Sequence, residues 1–341
     1  MQNGNTPLLS VCNLKTYFFQ DEGTVKAVDG ATFDVFPGKT LGIVGEIGCG
    51  KSVTARSILR IVERPGRIVE GEIILRRAQR GNALDLTRFD PDSKEMRAIR
   101  GSEIGLVFQE PMTSFSAHYT IGNQIVEAIR LHNDVNDQVA RQRAIEALRM
   151  VGIPKPERRV DEYSFQLSGG LRQRAMIAMA LSCNPRLLIA DEPTTALDVT
   201  TQAQILDLLR DLQKQRGMAI MLITHNLGVI AEMADDVVVM YLGRVVEEGP
   251  AHDIFHAPQH PYTQALLRSI PSIKSKPRIK LPTITGSIPH PYNRPPGCPF
   301  HPRCPNVLPG KCNVDPPGLL PVGKRHQVSC FLYEPQASRP A

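Results

Sequence analysis

Two stretches of this 341-residue chain combine residue types and spacings suited to phosphate chemistry. Gly45-Glu46-Ile47-Gly48-Cys49-Gly50-Lys51-Ser52 fits G-x-x-x-x-G-K-[ST]. In that pattern the glycines let the backbone wrap closely enough for its N–H groups to face phosphate oxygens. A helix opening near Lys51 adds the positive end of its dipole. Lys51 is placed for the β- and γ-phosphates, and the Ser52 hydroxyl for Mg²⁺. Cys49 fills a free position, either as a small side chain that fits or as a thiol whose oxidation would block the site. Farther on, Leu187-Leu188-Ile189-Ala190 buries a strand and sets Asp191 and Glu192 at its carboxyl end, where ligands bind in parallel sheets. Asp191 suits Mg²⁺. Glu192 suits the orientation and deprotonation of an attacking water.

The elements around these residues predict an α/β fold with a largely parallel core sheet. Thr40–Val44, Leu187–Ala190, Ala219–Thr224 and Val237–Tyr241 are short apolar runs of strand type. Ala55, Ile58, Leu59 and Val62 recur at helical spacing over Lys51–Val62, and helical periodicity also runs through residues 121–150. The first 40 residues differ: LLSVCNL, TVKAV and ATFDVF are short, turn-separated segments that predict an antiparallel subdomain. At 42% apolar the chain is too hydrophobic for wholesale disorder. No run approaches the roughly 18 apolar residues that span a bilayer, and the first residues do not fit a secretory signal. A cytosolic location is expected, where cysteines are free thiols or metal ligands.

Charge is unevenly placed. Of the net +6, residues 271–341 carry ten Lys/Arg against Asp315 and Glu334, which leaves residues 1–270 at −2. The same segment holds 16 of the 28 prolines and four of the seven cysteines, so a boundary is expected near its start. The near-neutral body excludes a nucleic-acid footprint there. The basic tail is either a solvated linker or a docking segment for a sister subunit or the inner membrane leaflet.

Leu167-Ser168-Gly169-Gly170-Leu171-Arg172-Gln173-Arg174 precedes Asp191, and Ser-Gly-Gly before an apolar run is a helix cap in itself. Together with Gln109 in VFQEP, Ala196-Leu197-Asp198 and His225 in Thr224-His225-Asn226, it resembles the ATP-binding cassette ATPases over residues 8–265. The resemblance implies the signature, Q-loop, D-loop and switch histidine of that family, in order. It implies ATP and Mg²⁺ as ligands, and a helical subdomain that carries the signature. Ser168, Gly169 and Gly170 would cap the γ-phosphate of ATP held by a facing second ATPase subunit, with Asp198 shaping that interface. Gln109 would sense Mg²⁺ and the γ-phosphate. His225 is either a surface residue or a γ-phosphate ligand that stabilises transition-state charge. Phe18, with Tyr17 and Phe19 as rivals, would stack on adenine.

Pro258-Gln259-His260-Pro261-Tyr262-Thr263-Gln264-Ala265-Leu266-Leu267 resembles the start of the C-terminal extension of oligopeptide/dipeptide importer ATPases, here residues 266–341. FQEPMTSFSAHYTIGNQI is similar to the same subfamily except at Phe115–Tyr119. The resemblance implies an ATP-hydrolysing subunit, peripheral on the cytoplasmic face of the cell membrane. Its partners would be a like or identical ATPase chain, two permease subunits docking near Gln109–Gln124, and an extracytoplasmic substrate-binding protein. Cargo would be peptide, or else nickel or oligosaccharide; a soluble cassette acting as regulator or assembly factor is the competing class. Four thiols in a proline-rich tail suit a metal staple. Cys298, Cys304, Cys312 and Cys330 resemble the set that holds a [4Fe–4S] cluster in some members. Zinc and free thiols are the alternatives, and His301 and His326 are expected at the surface.

Overall fold

The computed structural model describes residues 6–77, 83–110, 114–195, 197–269 and 284–334. The chain folds into two compact units, each assembled from separated stretches: Met1–Leu9, Val35–Thr40 and Leu75–Thr224 in one, Ser10–Asp34, Leu41–Ile74 and His225–Ala341 in the other.

The first unit is built on parallel strands. Ile104–Val107, Leu187–Asp191 and Ala219–Ile223 lie side by side, with Val107 opposite Ala190 and Asp191 opposite Ile223. Leu187–Asp191 and Ala219–Ile223 are buried along their whole length, which is why they read as unbroken apolar runs. The helical stretch at 121–150 is two helices, Ile121–His132 and Asp137–Met150, packed on each other and on the helix Gly169–Leu181. Thr120 and Asn136 cap the first two, each side chain accepting the N–H three residues on.

The second unit carries the N-terminal strands and a mixed sheet. Leu9–Gln20 and Gly23–Val35 are long strands, where the sequence suggests shorter pieces. The turn-like residues inside them are irregularities within the pair: Asn13 and Gly30 both have positive φ (47° and 92°), and a Cβ on Gly30 would lie 3.2 Å from Asn13 Oδ1. Leu41–Val44 pairs in parallel with Asp236–Val239. Arg244–Pro250 then pairs antiparallel with Asp236–Tyr241, His326–Val328 with Arg244–Pro250, and Leu320–Gly323 with His326–Val328. The cysteine-bearing tail thus extends an existing sheet. The helix after Lys51 is shorter than its periodicity suggests. It ends at Ile58, and Arg60 adopts a left-handed conformation (φ 56°), so Val62 lies outside it.

A buried carboxylate ties the tail to that sheet. Glu247 is fully buried and accepts from Gln259 N–H (2.7 Å) and His260 N–H (2.9 Å), and His326 Nε2 lies 2.8 Å away. His326 is therefore a buried partner of Glu247, not the surface histidine its proline-rich surroundings suggest. His260, wholly buried and pushed down to about 3, is neutral, and its Nδ1 caps the helix Pro261–Arg268 by accepting from Tyr262 N–H (3.0 Å). Replacing Glu247 by Ala would leave several buried donors without an acceptor. Glu247→Ala is expected to lower unfolding stability by about 3 kcal/mol, read as a fall in the urea midpoint at unchanged slope.

Candidate functional site

In the second unit Gly45–Ser52 joins the strand Thr40–Val44 to the helix Lys51–Ile58. Two glycines are required by close approach. A Cβ on Gly45 (φ 153°) would lie 2.2 Å from Met240 O, and one on Gly50 (φ 101°) 2.2 Å from Ala27 O. Gly50 is also the N-cap and has no side chain to offer, so no cap side chain takes the first-turn N–H groups. Lys51 is buried, and its ammonium donates to Gly45 O (2.8 Å) and Glu46 O (3.1 Å), inside the curve of the loop.

Glu46 N–H donates to Tyr262 Oη (2.9 Å), and the Glu46 carboxylate is paired with Arg303. The sequence motif signals neither partner. Within His260-Pro261-Tyr262, the His260 cap starts a short helix whose buried Tyr262 meets the loop. Cys49 is buried, and burial pushes its thiol up despite the nearby Lys51 ammonium.

Phe18 is half-buried against Gly66. Its rivals are engaged elsewhere: the Tyr17 hydroxyl donates to Asp29, and the Arg67 guanidinium lies 4.4 Å from the Phe19 ring centre. His225 is exposed, just before the helix Leu227–Met233 that Asn226 caps.

In the first unit Asp191 ends its strand and is buried. Glu192 follows with φ 48°, a conformation that costs a non-glycine residue of order 1 kcal/mol or more. Its N–H is held by Ile223 O (2.8 Å). Its Oε2 accepts from Thr195 Oγ1 (2.8 Å) and from Gln109 Nε2 (3.3 Å). Two residues 83 positions apart are thus brought together, and Thr195 joins them although a threonine after a Pro-Thr pair carries no signal of its own in the sequence.

Ser168 caps the helix Gly169–Leu181 through a long bond from Leu171 N–H (3.4 Å), and Ser168 and Gly169 are exposed. A Cβ on Gly170 would sit 2.7 Å from Thr201 Cγ2, so the second glycine allows close packing on the helix Val199–Arg216. Arg172 braces the preceding turn by donating to Ser164 O (2.9 Å) and Leu167 O (3.0 Å). Asp198 caps Val199–Arg216, accepting from Thr201 N–H (2.9 Å) and Thr201 Oγ1 (2.7 Å), and these bonds hold its carboxyl below the usual range. Ala196 and residues 111–113 lie outside the described residues. After them Phe115 is buried, and Gln124 Nε2 holds the loop by donating to Ser116 O (3.1 Å) and Tyr119 O (3.0 Å), leaving Tyr119 exposed.

The four tail thiols are free, with Cys298, Cys312 and Cys330 buried and Cys304 half-buried. Burial first, and then the neighbouring sulfurs, push Cys298 and Cys330 up to about 11; burial and Cys312 also raise Cys304. Among the described residues no three His, Cys, Asp or Glu side chains converge as ligands of one metal ion. His301 Nδ1 faces Cys298 O (2.9 Å) and His326 faces Glu247, so both are engaged elsewhere.

A buried, protonated thiol reacts slowly. At pH 7.5 Cys49 is expected to resist iodoacetamide in the folded chain while exposed Cys12 is labelled, as read by peptide mass spectrometry with a denatured control.

Residues 28–195 match the ABC transporter family, and residues 246–312 the oligopeptide/dipeptide transporter C-terminal region. The chain is 50% identical to the oligopeptide transport ATP-binding protein AppD of Bacillus subtilis, over 97% of this chain and 98% of that protein. It is 46% identical to the dipeptide transport ATP-binding protein DppD of Escherichia coli, over 98% and 99%. Among solved structures it resembles the dimeric bacterial ABC transporter cassette MJ0796, with TM-score 0.62 and 26% identity over 71% of this chain and 98% of that one. The same cassette has been solved as a post-hydrolysis dimer with ADP and Pi, at the same score and coverage. With both family regions matched and relatives aligned over nearly its whole length, this chain belongs to the ATP-binding subunits of the oligopeptide/dipeptide class of ABC transporters.

Proposed function

We propose that the chain is the ATP-hydrolysing subunit of a peptide importer, with the cassette over residues 8–265 and the extension over 266–341. Peptide cargo rests on AppD and DppD, whose names specify oligopeptide and dipeptide transport. Among the described residues no helix is long and apolar enough to cross a membrane, so translocation is assigned to permease partners. The chain would sit against them at the cytoplasmic face, with exposed Tyr119 on the docking surface and a substrate-binding protein on the far side.

The hydrolytic assignment is carried by the Glu192 carboxylate, held between Gln109 and Thr195 on a left-handed backbone. In this reading Glu192 orients the attacking water and takes its proton. Gln109 holds that carboxylate in place and follows the Mg²⁺ and γ-phosphate. Gly45, Gly48 and Gly50 supply backbone N–H groups to the phosphates and Lys51 its ammonium, while Glu46 and Cys49, whose N–H groups are held by Tyr262 Oη and Glu46 O, shape the loop around them. Ser52 and Asp191 would hold Mg²⁺, since hydroxyl and carboxylate oxygens are the hard donors that cation takes. When bound, Mg²⁺ would supply positive charge against the phosphates. His225 donates to the γ-phosphate, and Phe18 stacks on adenine. Ser168, Gly169 and Gly170 serve the nucleotide of a second ATPase chain across an interface shaped by Asp198. The dimeric MJ0796 cassette supports that arrangement.

Glu192→Gln is expected to retain ATP binding, to accumulate as an ATP-dependent dimer on size exclusion, and to hydrolyse about a hundredfold more slowly or worse. Lys51→Ala is expected to lose most ATP binding. Normal turnover in the first variant would remove Glu192 from the role given it.

The tail thiols fit a [4Fe–4S] cluster by donor type and number. The Cys298 thiol feels the charge of the other three sulfurs, and the Cys330 thiol that of Cys304, Cys312 and the Glu247 carboxylate. Cys298, Cys304, Cys312 and Cys330 would hold the group, which supplies a cross-link to a segment short of apolar core. Anaerobically purified chain is expected to carry about four irons per chain with broad visible absorption, both lost in Cys312→Ser. Stoichiometric zinc, or no metal at all, would reject the cluster.

A further inference from the structure

Arg303 lies in the tail, one residue before Cys304, and its side chain is only 4% exposed. Its guanidinium grips the Glu46 carboxylate with two prongs, Nη1 to Oε2 at 2.7 Å and Nη2 to Oε1 at 3.1 Å. Nη1 also reaches Tyr241 Oη (3.2 Å), and Nε donates to Thr285 O (3.2 Å). Tyr241, Tyr262 and Phe300 form a buried ring cluster beside it, with centroids 4.7 to 5.4 Å apart. The turn that presents Arg303 is itself pinned: Cys298 N–H donates to Cys312 O (2.8 Å) and Arg303 N–H to Phe300 O (2.9 Å).

Glu46 is the first variable position of the phosphate loop. An uncompensated carboxylate there would oppose a polyanion bound a few ångströms away, because like charges in a partly dry site repel strongly. A two-pronged guanidinium is the side chain best shaped to cancel that charge and fix its direction. Nothing in the tail's net charge distinguishes Arg303 from its basic neighbours; its burial and its partner do.

We propose that Arg303 is a positioning residue for nucleotide binding. It acts through Glu46, neutralising the carboxylate and holding the start of the phosphate loop together with Tyr262. The C-terminal extension thereby becomes part of the ATP-binding apparatus. This rests on Gly45–Ser52 being the ATP cradle.

The test uses full-length chain, Mg²⁺ and a fluorescent ATP analogue. Arg303→Met is expected to weaken binding about tenfold, equivalent to about 1.4 kcal/mol. Glu46→Gln added to Arg303→Met is expected to restore most of that affinity, because the offending charge is gone. Arg303→Lys should fall between wild type and Arg303→Met, since it keeps the charge but loses the fork. Melting of the nucleotide-free variants follows folding separately, and affinities are compared at a temperature where every variant is folded, so that a loss of binding reports on the loop and not on unfolding. Unchanged affinity in Arg303→Met, or failure of the double variant to recover, overturns the proposal. Retained binding in Lys51→Ala would instead overturn the cradle assignment itself.

Discussion

A loop that binds a polyanion with backbone N–H groups constrains everything packed against it. The glycines must be glycines because Met240 O and Ala27 O stand where a Cβ would go. The cap of the following helix must not spend the first-turn N–H groups on its own side chain, and Gly50 has none. Negative charge must be cancelled, and the Glu46 carboxylate is cancelled by Arg303. The thiol at position 49 must stay inert, and burial keeps it protonated. These choices are scattered in sequence but answer one electrostatic demand.

The C-terminal extension is shaped by a second constraint, the difficulty of burying polar groups in a segment poor in apolar residues. Its strands continue the sheet after Arg244–Pro250, so their backbone groups are paired by an existing edge. Glu247, fully buried, could be a liability there, because an unpartnered carboxylate is costly. It is instead the acceptor on which Gln259, His260 and His326 converge. The same residues begin the helix that places Tyr262 under the phosphate loop. Tail folding and loop geometry therefore share one hydrogen-bonded joint.

What the sequence made legible was local. Eight contiguous residues state the phosphate loop, and four apolar residues before Asp191 state a buried strand, because both depend on neighbours in the chain. One helix start was equally readable: Ser168 caps the helix that follows it, whereas Asp198, read only as an interface residue, also proves to be a cap. Contacts across long separations were not. Arg303 and Glu46 are 257 positions apart, and in composition Arg303 is one of ten basic residues in a solvated-looking tail. His326 looked like a surface residue because only the fold supplies Glu247. The helix after Lys51 looked longer because Val62 keeps the apolar spacing, while the left-handed Arg60 that breaks it has no sequence signal.

The helix starts also separate two kinds of anion site. Asn136 and Asp198 cap their helices with bonds of 2.9 Å, spending a first-turn N–H on their own oxygen. The helix after Gly50 has no side-chain cap, and the signature helix has only the 3.4 Å bond to Ser168. A weak cap is a poor way to stabilise a helix but leaves N–H groups that a phosphate can claim. The cradle helix would claim it from within its own chain. The signature helix, with Ser168 and Gly169 exposed at its tip, offers the same chemistry outward. In the arrangement proposed above, two such termini would face one phosphate, each supplying N–H groups that the other lacks.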